Sequence, residues 1–213
     1  MAVNNPFTTT QLEAVNTILS GIGELPTTAA VITAGSSADV VMAVQILDEV
    51  NREVQAKGWH FNTDYDVTFT PDGSDWIIIS EDEGTGSGPT NILRVTVEGR
   101  DLTIRRDPAD DTSKLYDKEE NSYVFTAPLS KSATVVYVFE FYGIPESAKR
   151  YITIRATRLF QDRMVGSAAL NRFSERDEYQ ALLDLREYEG STSTPNIFDD
   201  PGTFNIVKRG GIL

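Results

Sequence analysis

The stretch from Ala38 to Asn62, ADVVMAVQILDEVNREVQAKGWHFN, decides how the rest of this chain is read. Val40, Val44, Leu47, Val50 and Val54 recur at the spacing that puts them on one face of a helix, while Asp48, Glu49, Arg52, Glu53 and Lys57 take the remaining positions. Such a helix ends at Gly58, because glycine adopts the left-handed conformation that closes a last turn without a Cβ penalty. Trp59 and Phe61 then read as an extended segment in which both point one way and His60 the other. The aromatic pair is expected to be a structural core anchor for the helix, the ordinary role of large apolar side chains beside a helix end.

Working outward, LEAVNTILSGIGELP from Leu12 to Pro26 reads as a shorter helix stopped by Gly21, Gly23 and Pro26. Thr27 to Ser37 reads as a loop whose Ser36 and Ser37 are candidate caps for the long helix. A β-rich zone follows: Tyr65, Val67 and Phe69 alternate with Asp66 and Thr68, Pro71-Asp72-Gly73 marks a turn, and Trp76 to Ile79 reads as a buried strand. Arg94 to Val97 and Leu102 to Arg106 flank Glu98-Gly99-Arg100-Asp101 as a hairpin, and Leu115-Tyr116, Tyr123 to Phe125 and Thr134 to Tyr142 extend the sheet. Helical spacing returns at Pro145-Glu146 with Ala148, Ile152, Ala156, Leu159 and Phe160 on one face, breaks at Gly166-Ser167, and resumes from Ala168 to Glu189 around Phe173, Leu182, Leu183 and Leu185. The expected fold is therefore α+β. Residues 1–62 and 145–189 form a discontinuous helical domain, residues 63–144 an inserted β-rich sandwich or barrel, and residues 190–213 an extended C-terminal tail.

Bulk properties bound the function. A chain of 213 residues, 40% hydrophobic and 24% charged, can bury a core and has neither a disordered nor a membrane composition. No run approaches the roughly 18 apolar residues of a membrane span, and MAVNNPFTTT lacks the regions of a signal peptide. The expectation is a protein without a membrane role that stays where it is made. The absence of cysteine removes disulfides, zinc-thiolate sites and thiol nucleophiles, and the single histidine, His60, cannot build a His-rich metal site within one chain.

A net charge of -13 argues against a nucleic-acid-binding surface. The charge is unevenly spread: residues 64–144 carry 7 Lys and Arg against 16 Asp and Glu, net -9; residues 145–164 carry 5 against 2, net +3; residues 165–189 carry 3 against 6, net -3. The last two segments are complementary, as antiparallel helices side by side or matching faces of neighbouring subunits would be. Arg155, Arg158 and Arg163 on one, and Glu175, Asp177 and Glu178 on the other, are thus candidate subunit contacts. Solvated faces of little energetic consequence are the ordinary alternative.

Catalytic apparatus is hard to find. H-E-x-x-H, G-x-S-x-G and P-loop motifs are absent, and the Gly-Thr-Gly-Ser-Gly of Gly84 to Gly88 has no following Lys and is succeeded by Pro89. Asp110-Asp111 and Asp199-Asp200 are adjacent acids, but neither has the alternating spacing of a calcium loop. No residue is assigned a catalytic, cofactor-binding or metal-ligating role, and no cofactor is expected. The competing reading is a tail-associated hydrolase with dispersed paired carboxylates, or a β domain that binds glycan. Two acids and an aromatic platform meeting in one cleft would favour it. The tail, GSTSTPNIFDDPGTFNIVKRGGIL from Gly190 to Leu213, is poor in helix formers. Phe198, Phe204, Ile206 and Val207 are candidate anchors and Lys208 and Arg209 a charged clasp of a partner-binding arm, against the alternative of a frayed terminus.

Several of these residues stand together in a familiar order. Ala14-Val15-Asn16 with Ile18-Leu19, Ile22-Gly23-Glu24 with Pro26, Ile46-Leu47 with Val50-Asn51-Arg52, Gly58-Trp59 with Phe61-Asn62, and Arg158-x-Phe160-Gln161-x-Arg163 resemble the tail tubular protein A family, the gatekeeper or head-to-tail adaptor of short-tailed bacteriophages. The likeness covers both helical segments and is thin between Asp64 and Tyr142. It implies a structural virion protein, not an enzyme, made in the host cytoplasm and built into the viral tail. In that role a homo-oligomeric, dodecameric ring sits beneath the portal protein, joins it to a nozzle of the tail tubular protein B type and offers attachment to tail fibres. DNA then passes through the channel during ejection without specific binding. None of the matched positions is catalytic in the family, so what the resemblance implies is architecture and assembly.

Overall fold

Thr10 starts the first helix with a reciprocal cap: its hydroxyl accepts from the Glu13 backbone N–H, and the Glu13 carboxylate accepts from the Thr10 N–H at 2.7 Å. The computed structural model describes residues 8–79, 91–166 and 168–192. Three helices precede the strands, α1 (Gln11–Ser20), α2 (Ala29–Ala34) and α3 (Ala38–Gln55), and two follow, α4 (Glu146–Met164) and α5 (Ala168–Thr192). Between them lie β1 (Thr63–Phe69), β2 (Ile92–Val97), β3 (Leu102–Arg106), β4 (Ser113–Asp117) and β5 (Leu129–Tyr137). The architecture is mixed α+β with small antiparallel sheets.

α3 buries Val40, Ala43, Ile46, Leu47, Val50 and Val54, so Ala43 and Ile46 join the stripe read from sequence and Val44 is only half-buried. α3 and α4 run antiparallel, with Glu53 beside Arg155 and Glu49 beside Arg163. α1 packs on both, α5 on α4, and α2 on α3. One apolar core joins Val15, Ile18, Ile46, Leu47, Ile152, Phe160 and Leu185 from the two ends of the chain.

The β region has its own core of Phe69, Ile77, Ile79, Val95, Val97, Leu115, Phe125, Leu129, Ala133 and Val135. Its strands order as β1-β5-β2 in one antiparallel sheet and β3-β4 in another. The hairpin read across Glu98 to Asp101 is therefore a corner. β2 pairs with β5 and β3 with β4, and only the Val97 and Arg100 bridge links the arms. Val95 and Val97 of β2 and Leu102 and Ile104 of β3 nevertheless pack on one core, reached from the two sheets. Trp76 to Ile79 forms no strand, although Leu115 N–H donates to Ile77 O and Ile79 N–H to Ser113 O, so it lines the free edge of β4.

Local differences have local causes. The Thr27 to Ser37 loop holds α2, because Ala29 and Ala30 favour a helix that Gly35 closes at φ 58°, and Ser37 takes the cap position of α3 without a side-chain bond. The segment after Gly58 is not extended. Asn62 Oδ1 accepts from Trp59 N–H at 2.8 Å and winds His60–Asn62 into a 3-10 turn, yet Trp59 and Phe61 still pack on the helical core and His60 faces solvent. Tyr65 is exposed since Asp66 adopts φ 57° and shifts the register between Asp64 and Val67. α5 runs three residues past Glu189, so Gly190 to Thr192 belong to the helix.

Candidate functional site

Three features of the described residues are built in a way that invites a functional reading. The first is on the helices. α4 places Arg155, Arg158 and Arg163 one or two turns apart, and each guanidinium can bind a carboxylate in its planar fork. Arg155 donates to Glu53 at 2.6 Å and to Glu178 at 2.5 Å, while Arg158 Nε donates to the second oxygen of Glu178. Arg163 holds Glu49 with bonds of 2.9 and 3.0 Å. Burial pushes the Arg155 guanidinium down, but hydrogen bonds to Glu53 and Glu178 outweigh it and raise its pKa; the Arg163 hydrogen bond lowers that of Glu49. Of the six candidate contact residues, Arg155, Arg158 and Glu178 thus converge inside one chain and tie α3, α4 and α5 together. Arg163 turns to α3, and Glu175 and Asp177 are exposed on α5.

The second feature is where α3 meets the exit of β5. Gln55 is fully buried and acts like a short strand: its Oε1 accepts from Phe139 N–H and its Nε2 donates to Phe139 O, both at 2.8 Å. Asn51 also donates to Phe139 O, and Asn62 donates to Tyr137 O and to Gln55 O. A buried amide trio therefore satisfies the backbone that a strand loses when it leaves its sheet. Asn51 and Asn62 stood among the residues of the resemblance. Gln55 was missed, and its signal was a polar residue beside Val54 on the buried stripe.

The third is in the β region. Lys114 has no exposed side-chain area and donates to Asp107 at 2.8 Å and Asp110 at 2.5 Å, with its ammonium 3.4 Å from the Trp76 ring centroid. Two acids and aromatics do meet here, but around a lysine that neutralises them. The hydrogen bond from Lys114 holds the Asp110 carboxyl down at about 2, and burial pushes Lys114 down less than its bonds to Asp107 and Asp110 raise it. Asp111 is bound separately by Arg106, so the adjacent acids do not act as a pair. Among the described residues no three His, Asp or Glu gather as a metal site. A groove of about 240 Å³ between α3 and the β region is lined by Asp48, Arg52, Asn91 and Glu140, where burial raises the Asp48 carboxyl. Asp199-Asp200 and the tail residues Phe198, Phe204, Ile206, Val207, Lys208 and Arg209 lie outside the described residues, as does the Glu81 to Pro89 segment.

These features are ties between elements, the furniture of a part that must keep its shape. Residues 12–195 match a protein-family model described as tail tubular protein, a span that takes in α2 to α5 and both cores. The chain belongs to the tail tubular protein family. It is a structural component of a phage virion tail and assembles into the tail complex. No curated protein matches it. Among the described residues of this tail tubular protein, no helix is long and apolar enough to cross a membrane.

Proposed function

We propose that this chain is the head-to-tail adaptor, or gatekeeper: a dodecameric ring that joins the portal to the tail nozzle, carries tail fibres, and encloses part of the channel through which DNA leaves. The family match over residues 12–195 carries this reading, because it spans nearly all of the folded part of the chain. In this reading the helical core (1–62 with 145–189) and the β core (63–144) serve as two domains clamped at Gln55. The acidic middle zone, net -9 over residues 64–144, faces the channel, where like charge keeps DNA from sticking. The arm with Phe198, Phe204, Ile206, Val207, Lys208 and Arg209 docks on the portal.

The test is to mix the purified protein with its candidate portal and examine the mixture, and the protein alone, by native mass spectrometry and negative-stain electron microscopy. A closed coaxial ring on the portal is expected. A protein that stays monomeric and ignores the portal would overturn the reading. Because α5 runs through Thr192, removal of residues 193–213 should leave a folded chain that no longer joins the portal. Unchanged portal binding would exclude the arm.

A further inference from the structure

The helical core has one end against the β region and one end away from it. At the far end the Gln161 amide of α4 donates to Gly21 O, just past α1, at 2.5 Å, and Arg163 near the end of α4 pairs with Glu49 partway along α3. From Leu25 to Ala38 the chain crosses this end without one charged residue. α2, inside that stretch, has no buried residue; Val31 and Ile32 are half-covered, Leu25 is 83% exposed and Met42, on the first turns of α3, is 38% exposed. A six-residue helix is too short to be stable by itself, and its packing on the core leaves part of its apolar surface open.

A second apolar patch lies on α5. Glu178, Ala181 and Leu185 turn inward, and on the other side Tyr179 and Leu183, one turn apart, are 61% and 37% exposed. α2 packs on α3 and α5 on α4, so the two patches belong to different members of the antiparallel pair.

We infer that these patches are the two halves of one contact between neighbouring copies of this chain, with the Leu25 to Met42 surface of one copy seated on the Tyr179 and Leu183 ridge of the next. The inference rests on the ring reading above and gives it residues. Two different patches make the contact heterologous, so it propagates around a ring instead of closing as a dimer. Charge selects the same surfaces. Copies that each carry -13 repel, and the Leu25 to Met42 surface brings a single charge into the contact, the half-buried Asp39, since Leu25 to Ala38 has none. The ridge is bordered by both signs, Glu175 and Arg176 at one end and Arg186 and Glu187 at the other. The β region, at net -9 with 16 acids against 7 basic residues, offers a neighbour mostly like charge. Nor are Arg155, Arg158 and Arg163 available for the purpose, since their carboxylate partners lie within the chain.

The lack of cysteine makes the test clean. Leu25→Cys and Tyr179→Cys, made one at a time at exposed positions, are assembled on the portal separately and as an equal mixture, then treated with a short thiol-to-thiol cross-linker. Linked dimer is expected in the mixture at a level on the order of tenfold above either variant alone. Rings that form without linkage overturn this inference and leave the adaptor reading standing. Linkage in Leu25→Cys alone means a two-fold contact and overturns it as well, and failure of any ring to form overturns both. A second variant reads the contact without a cross-linker: Leu25→Glu keeps the thermal midpoint of the free protein and weakens ring formation about tenfold or more, since it puts an unpaired carboxylate into an apolar contact. Unchanged ring formation by Leu25→Glu would count against the proposed surface.

Discussion

Gly21 shows how little room the helical core leaves at its tightest point. A Cβ there would sit 2.6 Å from Thr157 Cγ2 and 3.2 Å from Gln161 Nε2, although the backbone, at φ -61°, is one any residue adopts. Gly21→Ala is therefore expected to cost about 1–3 kcal/mol through overpacking alone, read by chemical denaturation. Adding Thr157→Ser, which deletes the obstructing methyl, should recover most of it; no recovery would move the cause elsewhere. Gly58 differs, because it combines φ 77° with a would-be contact of 3.1 Å to Val136 Cγ2, so strain and space both require glycine. Gln55 carries the remaining residue-scale prediction. Gln55→Leu strips the partner from Phe139 N–H and should cost about 2–3 kcal/mol, with faster hydrogen exchange at the Phe139 amide. Unaltered exchange there would show that the amide trio does not hold the end of β5.

Between elements, carboxylate and guanidinium groups do what apolar contacts alone leave undone. Arg155→Met removes bonds to both Glu53 and Glu178, and is expected to cost about 1–3 kcal/mol. Combined with Glu178→Gln it should cost less than the two separately, because both disturb one network; strict additivity would argue that the charges act alone. In the β region the Asp107, Asp110 and Lys114 cluster fastens the turn between β3 and β4. The carboxyl of Asp110 is depressed to about 2 from the ordinary 3.8. Its stabilising contribution is thus complete above the ordinary value, declines as the pH falls below it, and is gone beneath about 2. Lys114 is shifted up, so its share holds below 10.5 and disappears as the pH climbs past its raised value. The indole NMR signal of Trp76, which lies against Lys114, should stay constant through mild acid and change only near pH 2. A change centred near pH 4 would mean that the cluster does not form.

For the molecule as a whole, a net charge of -13 and the proposed apolar contact between copies make a joint prediction about salt. Repulsion between copies is screened as ionic strength rises through about 0.05–0.5 M, while apolar burial is not weakened. Ring yield on the portal should therefore rise over that range, as counted in electron micrographs. A fall would point to ionic contacts between subunits.

At the same scale, the parts of this chain that could be read without a structure are those set by local spacing. The stripe of α3, the start of α4 at Pro145-Glu146 (with Pro145 as the extended cap residue), the Gly58 stop and the mixed α+β composition follow from periodicity and backbone preference within a few residues. So did the family, because Gly58-Trp59, Asn51, Asn62 and the Arg158 to Arg163 run are local groups. Tertiary structure alone decided which strands pair. β2 and β3 look like a hairpin, yet each takes its ladder partner in a separate sheet, β5 and β4. It also decided where the arginines of α4 point. Complementary charge was legible, but Glu49 and Glu53 of α3, about a hundred residues away in the chain, take part of it. Spacing shows which residues share a face, whereas the partner of that face depends on which elements meet across long loops, and the whole packed chain determines that.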